Sequence, residues 1–170
     1  LGRMIGIGVM SKEDAISYAV TGPAGRGSGW SCDIRKHQPY SMYSKVDFKE
    51  VIRTEGDSDA RYMNRLDEIE ESLHIIEQLI DNIPEGEVLA KTKAIIKLPE
   101  GEYFQRIEAC RGEFGVYIES RGDKTPYRMK FRSPSMALVS AMPLICKNEK
   151  ISDFIGIGGS MDYVIPDIDR

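Results

Sequence analysis

The feature that most constrains the fold is a long apolar stripe with helical spacing between residues 57 and 83. Apolar side chains recur there every three or four positions, the spacing of a helix face that packs on a core. Asp57 or Ser58 can cap the start of this helix, and Pro84 with Gly86 ends it. At 1.5 Å per residue, the predicted helix is about 40 Å long. The stripe consists of Tyr62, Leu66, Ile69, Leu73, Ile76 and Ile80, widened by Met63, Leu79 and Ile83.

A helix of this length carries more apolar surface than the rest of a 170-residue chain can cover, because the other predicted helices are short. It requires partner helices, and a plain bundle helix is favoured over a coiled-coil zipper. We therefore expect part of the stripe to form an exposed apolar patch and the chain to self-associate in solution. The chain also begins at Leu1, without a start methionine or signal peptide, so we interpret it as a piece of a longer protein.

A three-stranded antiparallel meander is predicted after the helix. Apolar and polar residues alternate over 114–118 and 127–131, as they do in half-buried strands. A preceding strand over about 103–109 reaches a turn at Arg111-Gly112, and Arg121-Gly122-Asp123 makes the next turn. The combination of a long helix, this meander and shorter helices places the chain in the α+β class.

Shorter segments flank these two elements. Ser11 can cap a helix over about 12–20, and Ser133-Pro134 starts an apolar helix that runs to about 146 and that Pro143 kinks or interrupts. A last short helix is predicted near 151–155. Four glycines and a proline within residues 21–29 predict a loop without regular structure, followed by an irregular stretch over 30–56. We divide this single piece into a glycine- and arginine-rich loop region (1–56), the long helix (57–83), the meander region (84–132) and the C-terminal helices and tail (133–170).

Composition and charge exclude several classes of function. With 41% hydrophobic and 29% charged residues, the chain has the composition of a globular protein. A formal net charge of -4 argues against a broad nucleic-acid surface, so no nucleic-acid partner is expected. Cys32, Cys110 and Cys146 include no CxxC pair and indicate neither a disulfide framework nor a zinc site. No apolar run reaches the ~18 residues that a membrane span requires.

Two glycine-rich segments match nucleotide-binding motifs only in part. Gly22 and Gly27 have the spacing of a P-loop, but the lysine that reaches the outer phosphates is missing. Gly156-x-Gly158 lacks the third glycine of a dinucleotide fingerprint, because position 161 is methionine. We predict structural roles for both segments.

Histidines and arginines offer few candidates for chemistry. His37 and His74 have no base or nucleophile partner of known spacing. We expect a solvated or hydrogen-bonded surface role for His74 and a packing or partner contact for His37, rather than catalysis. Arginines in glycine-rich and helix-start segments often make fixed hydrogen bonds to carbonyls or carboxylates. We predict such structural roles for Arg26, Arg35, Arg61 and Arg65.

Several motifs, in order along essentially the whole chain, resemble those of one family. Residues 21–40 are similar to the signature TGPxLRGSG…DLRKxxPY, and residues 56–62 to the segment GDxxxRY. Residues 107–117 resemble IEAPRGEFGVY, and residues 159–170 resemble the terminal motif GSxDxxxGEVDR. The family is the D subunit of NADH-quinone oxidoreductase, which is the 49 kDa subunit of respiratory complex I. The departures are Gly25 for leucine, Cys110 for proline and Pro166-Asp167 for Gly-Glu.

The resemblance implies that the chain is the C-terminal part of such a subunit, in a fold like that of nickel–iron hydrogenase large subunits. It implies a part in the quinone-binding cavity, where electrons pass from the terminal iron–sulfur cluster of a neighbouring subunit to quinone and drive proton translocation. NAD and the iron–sulfur clusters belong to other subunits, so we expect no cofactor in this chain and no redox activity of the isolated chain. The implied quinone-binding residues are Arg111, Asp162 and Val164.

The resemblance also implies partners and a location. The expected partners are the cluster-bearing subunit, a C-subunit-like protein, a membrane subunit and quinone. The expected location is peripheral, on the cytoplasmic side of a prokaryotic plasma membrane or the matrix side of the mitochondrial inner membrane.

Three alternatives remain. A nickel–iron hydrogenase large subunit shares the fold, but its metals need cysteine pairs and residues 162–170 contain no cysteine. A related quinone reductase or membrane hydrogenase homologue would use another electron donor. A purely structural assembly module would leave Arg111, Asp162 and Val164 scattered, whereas the family resemblance predicts that the turn at Arg111 and the tail lie close together.

Overall fold

The computed structural model describes residues 2–93 and 95–169, and its α+β architecture confirms the predicted class. Leu1, Ala94 of the meander region and Arg170 of the terminal motif lie outside the described residues. The elements are α1 (Lys12–Ser17), α2 (Gly22–Arg26), α3 (Ile34–His37), a 3-10 helix (Tyr43–Lys45), α4 (Ser58–Ile80), β1 (Gly101–Ala109), β2 (Gly112–Ser120), β3 (Arg128–Arg132), α5 (Pro134–Ile145), α6 (Ile151–Met161) and α7 (Ile165–Ile168).

The predicted long helix is α4. Its N-cap is Asp57, whose Oδ1 accepts a hydrogen bond from the N–H of Ala60 at 2.7 Å, as capping requires. The helix ends at Ile80 instead of residue 83. Residues 81–93 are all exposed, so no tertiary packing stabilises a further turn.

The two faces of α4 lie in unlike surroundings. The face inside the chain is mostly polar: Ser58, Arg61 and Asn64 are fully buried, and Ala60 and Ile75 are its buried apolar residues. The six residues of the apolar stripe are 40–61% exposed. The predicted exposed apolar flank is therefore confirmed, whereas the expectation that the stripe packs on a core is wrong within this chain.

The meander is confirmed as an antiparallel sheet with the strand order β1-β2-β3. β1 and β2 pair along their whole lengths, up to Ala109 opposite Gly112. Cys110 and Arg111 are therefore the two connecting residues and form the hairpin tip. A Cβ on Gly112 would lie 2.6 Å from Thr21 Oγ1, so this glycine lets the hairpin tip pack directly on the start of α2.

The hydrophobic core lies between α1, α2, α5 and α6. α5 continues through Pro143 without the interruption that the sequence suggested. The buried core residues are Met10, Ala15, Val20, Ala24, Leu138, Ala141, Met142, Ile145, Ile157 and Met161.

Two glycine-rich segments are helical beyond what the sequence predicts. Residues 22–26 form α2, which is buried along its whole length. Gly25 is tightly packed there, since a Cβ at this position would lie 2.2 Å from Val20 O. α6 continues past the predicted end at 155 to Met161, since Ile157 and Met161 are held in the core.

Two further boundaries differ from the prediction. α1 ends at Ser17 rather than near residue 20, because Ala19 adopts a left-handed conformation at φ 53° that no α-helix accommodates. The stretch 30–56 is not wholly irregular, since it contains α3 and the 3-10 helix. Asp33 caps α3 by accepting a hydrogen bond from the N–H of Arg35 at 2.9 Å.

Candidate functional site

Arg111 reaches from the hairpin tip to the end of α6. Its Nε donates to Asp162 O at 2.8 Å, and its Nη2 lies 3.3 Å from Asp162 Oδ1. Both side chains are partly exposed, Arg111 at 32% and Asp162 at 41%. The predicted proximity of the turn and the tail is thereby confirmed.

The backbone at the end of α6 determines how Asp162 is presented. Asp162 is the C-cap residue, in the left-handed conformation at φ 57° and ψ 39°, and its N–H donates to Gly158 O at 3.2 Å. Aspartate is one of the few residue types besides glycine that adopt this conformation at low cost. As a result, both the carbonyl and the carboxylate of Asp162 face Arg111.

Val164 and Arg111 lie in the wall of one small cavity of about 210 Å³, which we call the apolar cavity. The N–H of Val164 donates to Ser135 Oγ at 3.2 Å, which fixes the tail against α5. Asp162 contacts Arg111 but lines a different cavity. The wall of the apolar cavity consists of Ala109, Cys110, Arg111, Phe114, Pro134, Val164 and Asp167.

A second cavity, of about 360 Å³, shares Ala109 and Cys110 with the apolar cavity. The end of β1 and the hairpin tip thus separate the two spaces. We call the second space the charged cavity, because three arginines and two glutamates line it. It is lined by Pro23, Arg26, Arg35, Tyr43, Arg65, Glu68, Ile69, Ser72, Glu108, Ala109, Cys110 and Asp162.

Arg26 is the central cation of the charged cavity. It is 2% exposed and donates to Glu68 Oε1 and Glu108 Oε1, both at 2.7 Å. Burial alone would lower the pKa of Arg26, but the hydrogen bond to Glu68 and the charges of both carboxylates raise it, so the guanidinium stays charged. Burial raises the pKa of Glu108, which shares this single cation with Glu68.

The other arginines also make fixed hydrogen bonds. Arg61 is fully buried and donates to Gly56 O at 2.8 Å and Gly8 O at 2.9 Å, which ties the N-terminal segment to α4. Burial, reinforced by the charge of Arg65, lowers the pKa of Arg61 to about 10. The predicted hydrogen-bonding roles are confirmed for Arg26, Arg35, Arg61 and Arg65.

The two glutamates of the charged cavity were not predicted from the sequence. A signal existed for Glu68, because Arg61, Asn64 and Glu68 recur at helical spacing and form a polar stripe on α4. No local signal marks Glu108, whose partner Arg26 lies 82 positions away in the sequence.

Cys110 is exposed at the hairpin tip, where Arg111 Nη1 lies 3.7 Å from its Sγ, so the departure from proline places a thiol in the wall of both cavities. The departure at Gly25 lies in α2, where this residue is tightly packed. His37 Nε2 lies 2.9 Å from Ser31 Oγ on the surface, and the packing or partner contact expected for His37 stays a prediction.

Within residues 2–93 and 95–169, no group of three or more histidine, cysteine or carboxylate side chains is arranged to hold a metal ion. None of the helices in this part of the chain has the length and apolar character needed to cross a membrane.

A solved structure with a very similar fold indicates the class of protein. It is described as the membrane-bound sulfane sulfur reductase, an archaeal respiratory membrane complex, and one of its chains matches with a TM-score of 0.92 and 39% sequence identity. The match covers 99% of this chain and 47% of that chain. The fold is that of a respiratory-complex subunit, in agreement with the predicted hydrogenase-large-subunit-like architecture.

The family follows from the sequence comparisons. The family described as respiratory-chain NADH dehydrogenase, 49 Kd subunit, matches residues 1–97 and 91–170. The C/D subunit of NADH-quinone oxidoreductase from Phocaeicola vulgatus is 64% identical over 168 residues, and the D subunit from Desulfotalea psychrophila is 47% identical over 169 residues. This chain therefore belongs to the 49 kDa subunit family, and the predicted family is confirmed.

The chain spans only part of these relatives. The matched residues are 99% of this chain but 32% of the Phocaeicola vulgatus protein and 45% of the Desulfotalea psychrophila protein. The D subunit from Bacillus cereus gives a similar picture, with 48% identity over 46% of its length.

Proposed function

We propose that this chain forms part of the quinone-binding cavity of an NADH-quinone oxidoreductase. In that role it supports electron transfer from the terminal iron–sulfur cluster of a neighbouring subunit to quinone, coupled to proton translocation by the whole complex. The observation that carries the proposal is that Arg111 lines the apolar cavity together with Val164 and is in contact with Asp162.

The chemistry of these side chains suits a quinone. Quinone sites combine apolar walls for the ring and tail with a few polar groups that fix the carbonyls. Asp162 engages the Nε and Nη2 of Arg111, while Nη1 faces Cys110 Sγ, a weak acceptor, at 3.7 Å. A quinone carbonyl is a stronger acceptor than a thiol, so Nη1 is the donor available to it.

Each residue then has a distinct role. Arg111 offers a permanent positive charge to a quinone carbonyl, and Val164 offers an apolar surface to the ring. Asp162 orients the guanidinium of Arg111 and, being partly exposed, is placed to relay protons to the reduced quinone. In this proposal the chain itself holds no cofactor, and NAD and the iron–sulfur clusters are bound by other subunits.

The proposal includes partners and a location. The partners are the cluster-bearing subunit, a C-subunit-like protein and a membrane subunit. The chain lies peripherally, on the cytoplasmic side of a prokaryotic plasma membrane or the matrix side of the mitochondrial inner membrane.

A second candidate is a related respiratory complex that uses another electron donor. It is supported by the 39% identity to a chain of a sulfane sulfur reductase complex, although the relatives at 47–64% identity are named NADH-quinone oxidoreductase subunits. Donor specificity separates the two candidates: the assembled complex oxidises NADH under the first proposal and another donor, such as reduced ferredoxin, under the second. A purely structural module is disfavoured because Arg111 and Asp162 are in contact instead of scattered.

Replacing Arg111 in the assembled complex tests the quinone site. We expect Arg111→Ala to lower quinone reduction while electron entry, measured with a hydrophilic acceptor, stays at the parent rate. The matched control is Arg106→Ala, because Arg106 lies on the same hairpin, is 39% exposed and pairs with Glu113 at 3.4 Å. An Arg111→Ala complex that assembles, reduces quinone at the parent rate and keeps its inhibitor response would remove Arg111 from the site.

Replacing Val164 tests the apolar wall. Val164→Met adds volume to a cavity of about 210 Å³, so we expect it to change inhibitor sensitivity and quinone affinity more than assembly. Unchanged affinity and inhibitor response in a normally assembled complex would exclude Val164 from the wall.

A further inference from the structure

Asp162 lies between two arginines, and the proposed function uses only one of them. Arg111 approaches Oδ1 from the hairpin tip, with its Nη2 at 3.3 Å. Arg65 approaches the other oxygen from α4, with its Nε 3.9 Å from Oδ2. One carboxylate therefore has a cation at each of its two oxygens.

Arg65 is held in place by backbone carbonyls. Its Nη1 donates to Arg61 O at 2.9 Å and its Nη2 to Met161 O at 3.4 Å. Its Nε is buried and has no hydrogen-bond partner in the part of the chain that the structure describes. A buried N–H without an acceptor costs free energy, so this atom would gain from a hydrogen bond. At 3.9 Å, Asp162 Oδ2 is just beyond hydrogen-bond distance, and a small rotation of the carboxylate brings it into reach.

Two cations face the single carboxylate of Asp162. Burial lowers the pKa of Arg65, and the negative charge of Asp162 opposes that shift. The carboxylates of Glu68 and Glu108, which line the same cavity, are already engaged by Arg26. Arg111 and Arg65 therefore share the single negative charge of Asp162, and either one can be released to another acceptor while the other retains it.

We propose that Arg65 is a positioning residue of the quinone site: it takes up the carboxylate of Asp162 when Arg111 turns Nη2, in addition to the available Nη1, to a quinone carbonyl. The exchange breaks one ion pair, forms another and transfers no proton. This inference rests on the proposed function, because it requires a quinone at Arg111.

The test is the variant Arg65→Met in the assembled complex, since methionine keeps an unbranched stem and removes the charge. Without Arg65, the carboxylate of Asp162 interacts with Arg111 alone. Arg111 is then held more tightly and is less available to quinone. We expect the KM for a short-chain quinone to rise about three- to fivefold, the range of a partly exposed ion pair, with a smaller change in kcat. Arg65→Lys restores a charge beside Asp162 and should recover most of the parent KM.

The background variant Asp162→Asn shows whether Arg65 acts through Asp162. If it does, Arg65→Met causes no further rise in KM once the carboxylate is gone. An equal rise in both backgrounds would mean that Arg65 acts through the fold, and it would overturn the inference. If Arg65→Met does not assemble, Arg65→Gln, which also removes the charge, is compared in the same two backgrounds, with the same two outcomes.

The control is Arg53→Met, because Arg53 pairs with Asp67 of α4 and is 30% exposed, close to the 25% of Arg65. We expect it to leave KM unchanged. A KM for Arg65→Met no higher than that of this control, with Arg111→Ala still impaired, would overturn only the role of Arg65. A normal rate of quinone reduction in Arg111→Ala would instead overturn the proposed site itself.

Discussion

The two faces of α4 differ in a way that a hydropathy pattern does not show. The buried face carries Arg61, Asn64 and Glu68, all hydrogen-bonded within the chain. The opposite face carries the apolar stripe, which is 40–61% exposed. In an isolated globular domain, the apolar face would be buried and the polar face would be exposed.

The difference shows that the groups packed against a helix face determine whether that face is buried. The polar face meets α2 and α6: Arg26 of α2 pairs with Glu68, and the carbonyl of Met161 in α6 accepts a hydrogen bond from Arg65. The apolar face meets nothing comparable in the described residues, although a surface of this kind marks an interaction site. The chain spans less than half the length of the D-subunit relatives that it matches.

The largest expected effect concerns the charged interior. Arg26→Met leaves Glu68 and Glu108 buried without their cation, so we expect the free energy of unfolding to fall by about 3–5 kcal/mol. Urea unfolding of the chain measures the loss. The control Arg53→Met breaks a pair at the surface and should cost less than about 1 kcal/mol. Equal losses in the two variants would show that the buried network has no special importance.

Two neighbouring isoleucines compare the faces directly. Ile75 is 8% exposed and Ile76 is 54% exposed, although they are adjacent on α4. We expect Ile75→Ala to lower the free energy of unfolding by about 2–3 kcal/mol and Ile76→Ala to change it by less than about 0.5 kcal/mol. A reversed order in urea unfolding would mean that the stripe, and not the polar face, lies inside the folded chain.

The stripe should control association more than stability. We expect the parent chain to self-associate at high concentration and the double variant Leu73→Lys, Ile76→Lys to remain monomeric, because two charges interrupt the apolar surface. Sedimentation velocity over a range of concentrations measures the change. A parent chain that is monomeric throughout that range would contradict this prediction.

The smallest expected effect is on the pH dependence of stability. Burial would raise the pKa of Asp33, but the hydrogen bond and charge of Arg35 outweigh it and lower the pKa. A carboxyl whose pKa is lower in the folded state stabilises the fold above its ordinary titration range and loses that contribution as the pH falls. The stability difference between the parent and Asp33→Asn should therefore shrink at acid pH. A difference that stays constant with pH would exclude this contribution.

Much of the fold could be predicted from local patterns. The spacing of apolar residues within 57–83 predicts a helix, and the alternation of apolar and polar residues between turns predicts the meander. Both signals depend only on neighbours along the chain. The direction in which the stripe faces depends on contacts with distant residues and could not be read locally. The glycines of α2 were misinterpreted for a related reason: their function is to allow close packing, which a sequence does not distinguish from flexibility.

The candidate site was predicted from resemblance and not from its residue types. Arg111 and Asp162 have no spacing that would join them, since their contact depends on the end of α6 meeting a hairpin tip 51 positions away. Their proximity is confirmed by the structure, while quinone binding at Arg111, Asp162 and Val164 stays a prediction. Glu108 could not be found from the sequence at all, because its importance arises from burial beside Arg26.

The left-handed backbone at Asp162 has a consequence for how this site can change in evolution. Only glycine, asparagine and aspartate adopt such a conformation at little cost, whereas alanine or a branched residue would strain the end of α6. Aspartate codons differ from those of both asparagine and glycine by a single nucleotide. One point mutation can thus remove the carboxylate while the carbonyl that Arg111 also uses stays in place, so the charge at this position can be lost without loss of the fold.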